Sequence, residues 1–460
     1  MAAVPRITVV GLGPGDPSLL TVGAQAAFDR AAAIVLRTAI HPWLTITGDP
    51  RCTVCDDLYD AGGSFDEVYA AIVARVIDIA EAADGETVYA VTGHPRFGER
   101  TVEMLSGAAA KRGIPVDVLP AVSFLDVVAP AVDEDPMAAG LQLVDALDLR
   151  AAIDADPFSG GQWSVDPTRP VLVTQVYDRE AASAVKLRLA RTYPEDHPVV
   201  VLSAAGVPDE ESTVTCPLHE LDRQPVSYLT SVWIPPLNDL DAARSPQTLQ
   251  RIAARLRRPD GCPWDRKQSH ASLRQAVIEE AYEVVDAIDA DDPENLAEEL
   301  GDLLLQVALH TQIAEEAGDF TLEDVYEAVN RKLVRRHPHV FGEVVASTPG
   351  EVVQTWNAVK AQERAAAGKA DDGPTHPLDK LPRSMPALQR ARTLIGPRKG
   401  DRALDADPDA LAAAGATILA AVEACLADGV DPEQALERAL RLRFEPDPHG
   451  HVPDREGTSA

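Results

Sequence analysis

Four carboxylates at matched spacing are the side chains in this sequence best placed to do chemistry. Glu280 and Glu283 stand in the run Glu279-Glu280-Ala281-Tyr282-Glu283, and Glu299 and Asp302 in Glu298-Glu299-Leu300-Gly301-Asp302. On a helix, residues three apart share a face with Cβ atoms ~5–6 Å apart. Each pair can then offer oxygens to one hard cation, and two pairs on antiparallel helices can converge. Without a cation, four clustered carboxylates repel and raise one another's pKa. A solvated acidic face is the ordinary reading of a single such pair. The register of the second pair favours a metal site instead. Val277, Ala281, Val284 and Ile288 form one apolar stripe, and Leu296, Leu300, Leu303 and Val307, each 19 positions later, form another. The same shift carries Glu280 onto Glu299 and Glu283 onto Asp302, so both helices hold their acids at one angle from a stripe expected to be buried. The spacing predicts a Mg²⁺ site.

A second stretch with chemical potential follows the first apolar run, Ile7–Val10. Gly11-Leu12-Gly13-Pro14-Gly15-Asp16 is a glycine-rich turn that allows close backbone approach to a ligand. It departs from a dinucleotide fingerprint, because Asp16 stands where the third glycine belongs and the helix starts later, near Thr21. Cys52 and Cys55 form a CxxC with no second pair, which reads as structural.

The elements that position these residues are legible in outline. Short apolar runs at Ile7–Val10, Thr87–Val91, Val116–Leu119, Val171–Thr174 and Val199–Leu202 read as buried strands alternating with helices, an α/β arrangement. Strand patterns stop at a boundary between Pro235 and Pro246. Beyond it, Asp292 with Pro293 reads as a helix start, Thr348-Pro349-Gly350-Glu351 as a capping box, and Thr321 with Asp324 as a third start. Four helices are expected between Ser269 and Ala367, then a linker from Gly368 to Pro382. Ala414-Gly415-Ala416 aligns with Leu300-Gly301-Asp302, and Asp431–Glu437 with Thr321–Glu327, which suggests a decayed repeat without its acids. The expected domains are 1–236, 247–368 and 383–445, with a disordered tail over 446–460.

Composition bounds the partners. The chain has 460 residues and a formal net charge of −31, which argues against nucleic-acid polymers and anionic membranes. The five cysteines are scattered, and no signal peptide or membrane span is visible, so a cytoplasmic setting is expected.

Two family resemblances sharpen this reading. Gly261-Cys262-Pro263-Trp264-Asp265-Arg266-Lys267-Gln268-Ser269-His270, the two acidic segments, Arg336-His337-Pro338-His339-Val340-Phe341 and Trp356-Asn357-Ala358-Val359-Lys360 resemble the MazG nucleoside triphosphate pyrophosphohydrolases. The resemblance implies an all-α fold, a homodimer or larger oligomer, Mg²⁺ on Glu280, Glu283, Glu299 and Asp302, and nucleoside triphosphates cleaved to monophosphate and pyrophosphate. It implies substrate roles for Lys332, Arg336, Trp356 and Lys360. Water attack at the α-phosphorus would release pyrophosphate, with Glu279 or Glu298 orienting the water or supporting the metal-binding acids from behind. The stretch from about residue 5 to 236 resembles the tetrapyrrole (corrin/porphyrin) methylases, which bind S-adenosylmethionine between two α/β subdomains. Val91-Thr92-Gly93-His94-Pro95 occupies the place of their Gly-Asp-Pro loop, and Pro120-Ala121-Val122-Ser123 that of Pro-Gly-x-Ser. That likeness points to Gly11, Gly13, Pro14, Gly15, Asp16, Gly93 and His94 as cofactor contacts. The expected fold class is multidomain: an α/β methylase-like domain, an all-α MazG-like domain and a degenerate helical repeat. An alternative makes the protein a methyltransferase with the helical part as a regulatory nucleotide-binding partner. A third, non-enzyme reading treats the helical part as a nucleotide-binding regulatory module and the first part as a cofactor sensor.

Overall fold

The computed structural model describes residues 4–41, 48–61, 64–155, 165–366, 376–395 and 408–444. The chain forms two compact units, Met1–Leu322 and Glu323–Ala460.

The first unit begins with a parallel sheet of β1 (Arg6–Gly11), β2 (Ala33–Leu36), β3 (Cys52–Val54), β4 (Glu86–Val91) and β5 (Val116–Val118), in the order β3-β2-β4-β1-β5. Both faces are covered. Ile7, Val9 and Tyr89 pack against the Phe65–Ala82 and Arg100–Lys111 helices through Ile72, Val76 and Leu105, while Val10, Val88 and Ile34 meet Ala27 and Phe28 on the other side. Burial on two faces is why these strands read as continuous apolar runs. A second sheet follows: β6 (Gln142–Asp145), β7 (Val171–Thr174), β8 (Pro198–Ser203), β9 (Ser212–Pro217) and β10 (Thr230–Ile234), in the order β6-β7-β10-β8-β9. Here only β6 and β7 pair in parallel; β10 pairs antiparallel to both β7 and β8, and β8 to β9. The five apolar runs recognised in the sequence correspond to β1, β4, β5, β7 and β8.

Two loops at the carboxyl ends of β1 and β4 clasp each other. Gly13 and Gly93 exchange both backbone hydrogen bonds, at 3.2 and 3.0 Å, each with a positive φ (77° and 68°) that favours glycine. Just before them Gly11 is squeezed: a Cβ there would lie 2.3 Å from the Gly93 carbonyl oxygen and 2.6 Å from Ala121 Cβ.

The remainder of the first unit is helical. The Pro246–Arg257, Arg274–Asp289 and Pro293–Ala317 helices enclose a small core of Ala253, Leu273, Ala308 and Leu309. Asp292 caps the last of these by accepting from Glu294 N and Asn295 N, and Gly318 ends it in the left-handed conformation. Arg251 ties this bundle to the α/β part, donating to Asp166 Oδ2 at 2.6 Å and Thr168 Oγ1 at 3.0 Å.

One expectation changes. The stripe expected to be buried is largely open within the chain: Ile288 is 57% exposed, Leu300 44% and Val307 42%, and Ala281 is exposed. The positions that close are Ala287, Gln306, Ala308, Leu309, Thr311 and Ala314. Periodicity identifies an apolar face but not what covers it.

The second unit is described by itself. Its helices are Leu322–Arg336, Pro349–Ala366, Ala387–Ile395, Pro408–Ala427 and Pro432–Arg443, with short turns at Pro338–Phe341 and Pro377–Lys380. Thr348 and Glu351 form the reciprocal cap expected of them. The aligned stretches at Ala414–Ala416 and Asp431–Glu437 lie on the last two helices. The Asp409–Ala427 stretch, rich in alanine, is long and apolar enough by length and composition to cross a membrane. Most of the expected linker and the whole expected tail lie outside the described residues.

Replacing Gly11 by alanine tests the clasp. The overpacking is expected to cost about 2–3 kcal/mol and lower the melting temperature by several degrees. A melting temperature unchanged from wild type would show that the loops yield freely.

Candidate functional site

Three of the four paired carboxylates meet. Oxygens of Glu280, Glu283 and Glu299 all lie within 4.8 Å of one another, joining the Arg274–Asp289 and Pro293–Ala317 helices. Partial burial raises the pKa of Glu280, and the charges of Asp302 and Glu283 add to it. Partial burial also raises Glu299, followed by Glu283, Asp302 and Glu298. Asp302 is therefore electrostatically part of the group although outside the tightest triad. Gln306, buried on the second helix, donates Nε2 to Glu280 Oε1 at 3.3 Å, while its own Oε1 has no partner. An oxygen-only donor set of clustered acids, with an unmet acceptor beside it, suits a hard divalent cation. Glu279 is exposed and accepts from Gln275 one turn earlier, at 3.4 Å.

Two histidines of the helical part stack on each other. His270 and His310 lie 5.0 Å apart with an interplanar angle of 3°, their Nδ1 atoms 2.7 Å apart.

In the second unit, Arg336 is engaged. Its Nε and Nη2 donate to Glu363 Oε2 at 3.2 and 2.7 Å, and Arg335 Nε donates to Oε1 at 2.6 Å. These bonds, to Arg336 above all, hold the Glu363 carboxyl down at about 2. The Arg336 guanidinium also lies 5.3 Å over the Trp356 ring, and His337 meets that ring edge-on at 5.1 Å. Lys332 and Lys360 are exposed. Glu363 was not singled out in the sequence, yet it lies seven residues after Trp356, two helical turns along the same face.

The α/β part holds a cavity of about 730 Å³, within the usual range for small-molecule sites. Gly13, Pro14, Gly93 and His94 line it, the first three with the clasp and His94 with its ring edge-on to Phe97 at 5.0 Å. Gly11, Gly15 and Asp16 do not reach it. Gly11 supports the clasp from below, Gly15 packs against Val207, and Asp16 caps the Pro17–Leu19 turn by accepting from Ser18 N at 2.7 Å. His41 also lines the cavity, with Nε2 3.0 Å from the Gly13 carbonyl oxygen; burial lowers its pKa. Within the wall itself lies the Arg37–Glu99 ion pair at 2.8 Å, which no local sequence pattern announces because its partners are 62 residues apart.

Comparison with known proteins assigns both parts. Residues 6–222 match the model of the Tetrapyrrole (Corrin/Porphyrin) Methylases, and residues 268–341 that of the MazG nucleotide pyrophosphohydrolase domain. YabN of Bacillus subtilis, an uncharacterized protein, is 39% identical over 393 residues, which is 85% of this chain and 76% of that one. The chain belongs to the tetrapyrrole-methylase/MazG fusion family. The MazG nucleoside triphosphate pyrophosphohydrolase/pyrophosphatase of Thermotoga maritima is 47% identical over 148 residues, 32% of this chain and 54% of its own length. The nucleoside triphosphate pyrophosphohydrolase of Mycobacterium tuberculosis is 34% identical over 238 residues, 50% of this chain and 68% of that one.

The acidic cluster gives this fusion protein a testable linkage. The Glu280 pKa is raised in the fold, so its contribution to stability is present below its ordinary value of 4.5 and lost as pH rises through the raised value. Replacing Glu280 by glutamine should therefore raise the melting temperature of metal-free protein at about pH 7.5 by one to two degrees. The advantage should vanish at about pH 4 and reverse with Mg²⁺. No advantage at neutral pH would show that the carboxylates do not strain one another.

Proposed function

We propose that the helical part hydrolyses nucleoside triphosphates to nucleoside monophosphate and pyrophosphate, with Mg²⁺ held by Glu280, Glu283, Glu299 and Asp302. The observation that carries this is the convergence of three of these carboxylates, from two helices, within 4.8 Å. When bound, Mg²⁺ supplies positive charge to triphosphate oxygens and to the pyrophosphate leaving group. The chain supplies the rest. The four acids fix the ion and, once it neutralises them, stay ionised despite mutual repulsion. Gln306 orients Glu280 through its Nε2 hydrogen bond. Glu279 or Glu298, exposed beside the cluster, orients the attacking water and accepts its proton. Lys332, Arg336, Trp356 and Lys360 are assigned to substrate binding on their match to the MazG motifs. Glu363 keeps Arg336 stacked on Trp356 rather than extended into solvent.

Assembly belongs to the same reading. The open stripe of Ile288, Leu300 and Val307, together with the exposed Leu304 beside it, is the surface assigned to a homodimer or larger homo-oligomer. The same reading assigns the protein to the cytoplasm, in keeping with nucleoside triphosphates as substrates. The α/β part is assigned S-adenosylmethionine, on the support of the cavity and its glycine clasp. The alternative reading, a methyltransferase regulated through the helical part, draws on that same cavity.

Pyrophosphate release across a panel of nucleoside triphosphates tests the first assignment. Alanine at Glu280 or Asp302 should lower it at least about a hundredfold, whereas alanine at exposed Asp286 should leave it near wild type. Wild-type release from the Glu280 or Asp302 variant sinks the metal assignment. Calorimetry with S-adenosylhomocysteine tests the second, and absence of heat together with absence of a thermal shift removes the cofactor.

A further inference from the structure

Charge is distributed unevenly around the cavity of the α/β part. Among the described residues of its wall, Arg37 is the one lysine or arginine, and it donates to Glu99 at 2.8 Å and to the Tyr59 hydroxyl at 3.0 Å. The Glu99 side chain is 2% exposed, so this pair cancels its own charge inside the wall. Two more acids line the same space: Asp145 at the end of β6, and Asp148 in the first turn of the Ala146–Ala155 helix. Among the described residues neither has an ion-pair partner.

Asp145 has neutral partners instead. Its Oδ1 accepts from Leu147 N at 2.8 Å, capping the helix, and its Oδ2 accepts from Gln175 Nε2 at 2.6 Å. Gln175 adopts φ +60°, a left-handed conformation uncommon for a residue other than glycine, and so brings an amide where a guanidinium or ammonium would have neutralised the acid. The wall therefore carries two carboxylates whose countercharge is not built into it. Burial, and then the charge of Asp148, raises the Asp145 pKa, a cost that a bound cation would remove. A ligand bearing several carboxylates meets like charge here and, among the described residues, no unpaired lysine or arginine.

Resting on the assignment of a cofactor to this cavity, we propose that the second ligand held beside it is an amine-bearing cation, and that polycarboxylates are excluded. The probes are spermidine and uroporphyrin III, titrated calorimetrically into the full-length protein at about 0.15 M salt, with and without S-adenosylhomocysteine. Wild type should bind spermidine and give no heat with uroporphyrin III. The double variant D145N D148N, in which asparagine keeps the helix cap, should bind spermidine at least tenfold more weakly with unchanged affinity for S-adenosylhomocysteine. D209N E210Q removes the same charge from an exposed loop outside the cavity and should bind spermidine as wild type does. Three results overturn the proposal: uroporphyrin III binding as tightly as spermidine, no binding of spermidine, or an equal loss in both double variants. A loss of S-adenosylhomocysteine affinity in D145N D148N overturns it too, since the acids would then serve the cofactor. If wild type fails to bind S-adenosylhomocysteine, the cofactor assignment fails, and the titrations without it still decide the charge preference.

Discussion

Repulsion among Glu280, Glu283, Glu299 and Asp302 is the constraint around which the helical half of this protein is arranged. The helix pair brings Glu280 and Glu299 together with Glu283, and partial burial followed by the neighbouring acids raises both pKa values. Such a cluster costs folding free energy when ionised. The fold offsets that cost with modest means: a core of Ala253, Leu273, Ala308 and Leu309, and the Arg257–Glu316 pair at 2.7 Å, in which the arginine side chain is 7% exposed. A strained site held by a thin core depends on what it binds. Metal and neighbouring copies of the chain are the natural sources of the missing stability in this reading.

The α/β half solves a different problem. Its first sheet is covered on both faces, as are the central strands β7, β10 and β8 of the second, and loops border the cavity beside the clasp. Reciprocal bonds between Gly13 and Gly93 fix two of those loops before any ligand arrives. Preformed backbone of this kind lowers the ordering cost of binding. The same rigidity makes the wall's charge a fixed property, since Arg37 and Glu99 are locked together and Gln175 is held against Asp145.

Sequence reasoning recovered the parts governed by local rules. Runs such as Val171–Thr174 announce themselves because a strand buried on both faces must be apolar throughout, and the Asp292-Pro293 and Thr348–Glu351 caps need a few adjacent residues. The pairing of acids was legible because helical geometry is periodic. β6 and β9, with polar or exposed positions among their few residues, gave no such pattern. Nor could periodicity say that the Ile288 and Leu300 stripe stays open, or that Arg336 is occupied by Glu363, because both depend on what approaches from elsewhere in the chain. Gly11, Gly15 and Asp16 illustrate the same limit within a motif: the glycine-rich run identifies the turn, while only the fold distinguishes residues on the cavity wall from those that brace it.

The proline-rich stretch between Pro235 and Pro246 looks like the place to cut the chain, and the Arg251 contacts show what such a cut would sever. Arg251 lies beyond that stretch, yet its guanidinium is bonded to Asp166 and Thr168 of the preceding sheet region. Separating the halves there would remove the shorter of the two ion pairs of Asp166, the 2.6 Å contact with Arg251, and leave it only Arg169 at 3.9 Å. The boundary visible in composition is thus bridged by side chains, which join the first helix of the bundle to the loop that precedes β7.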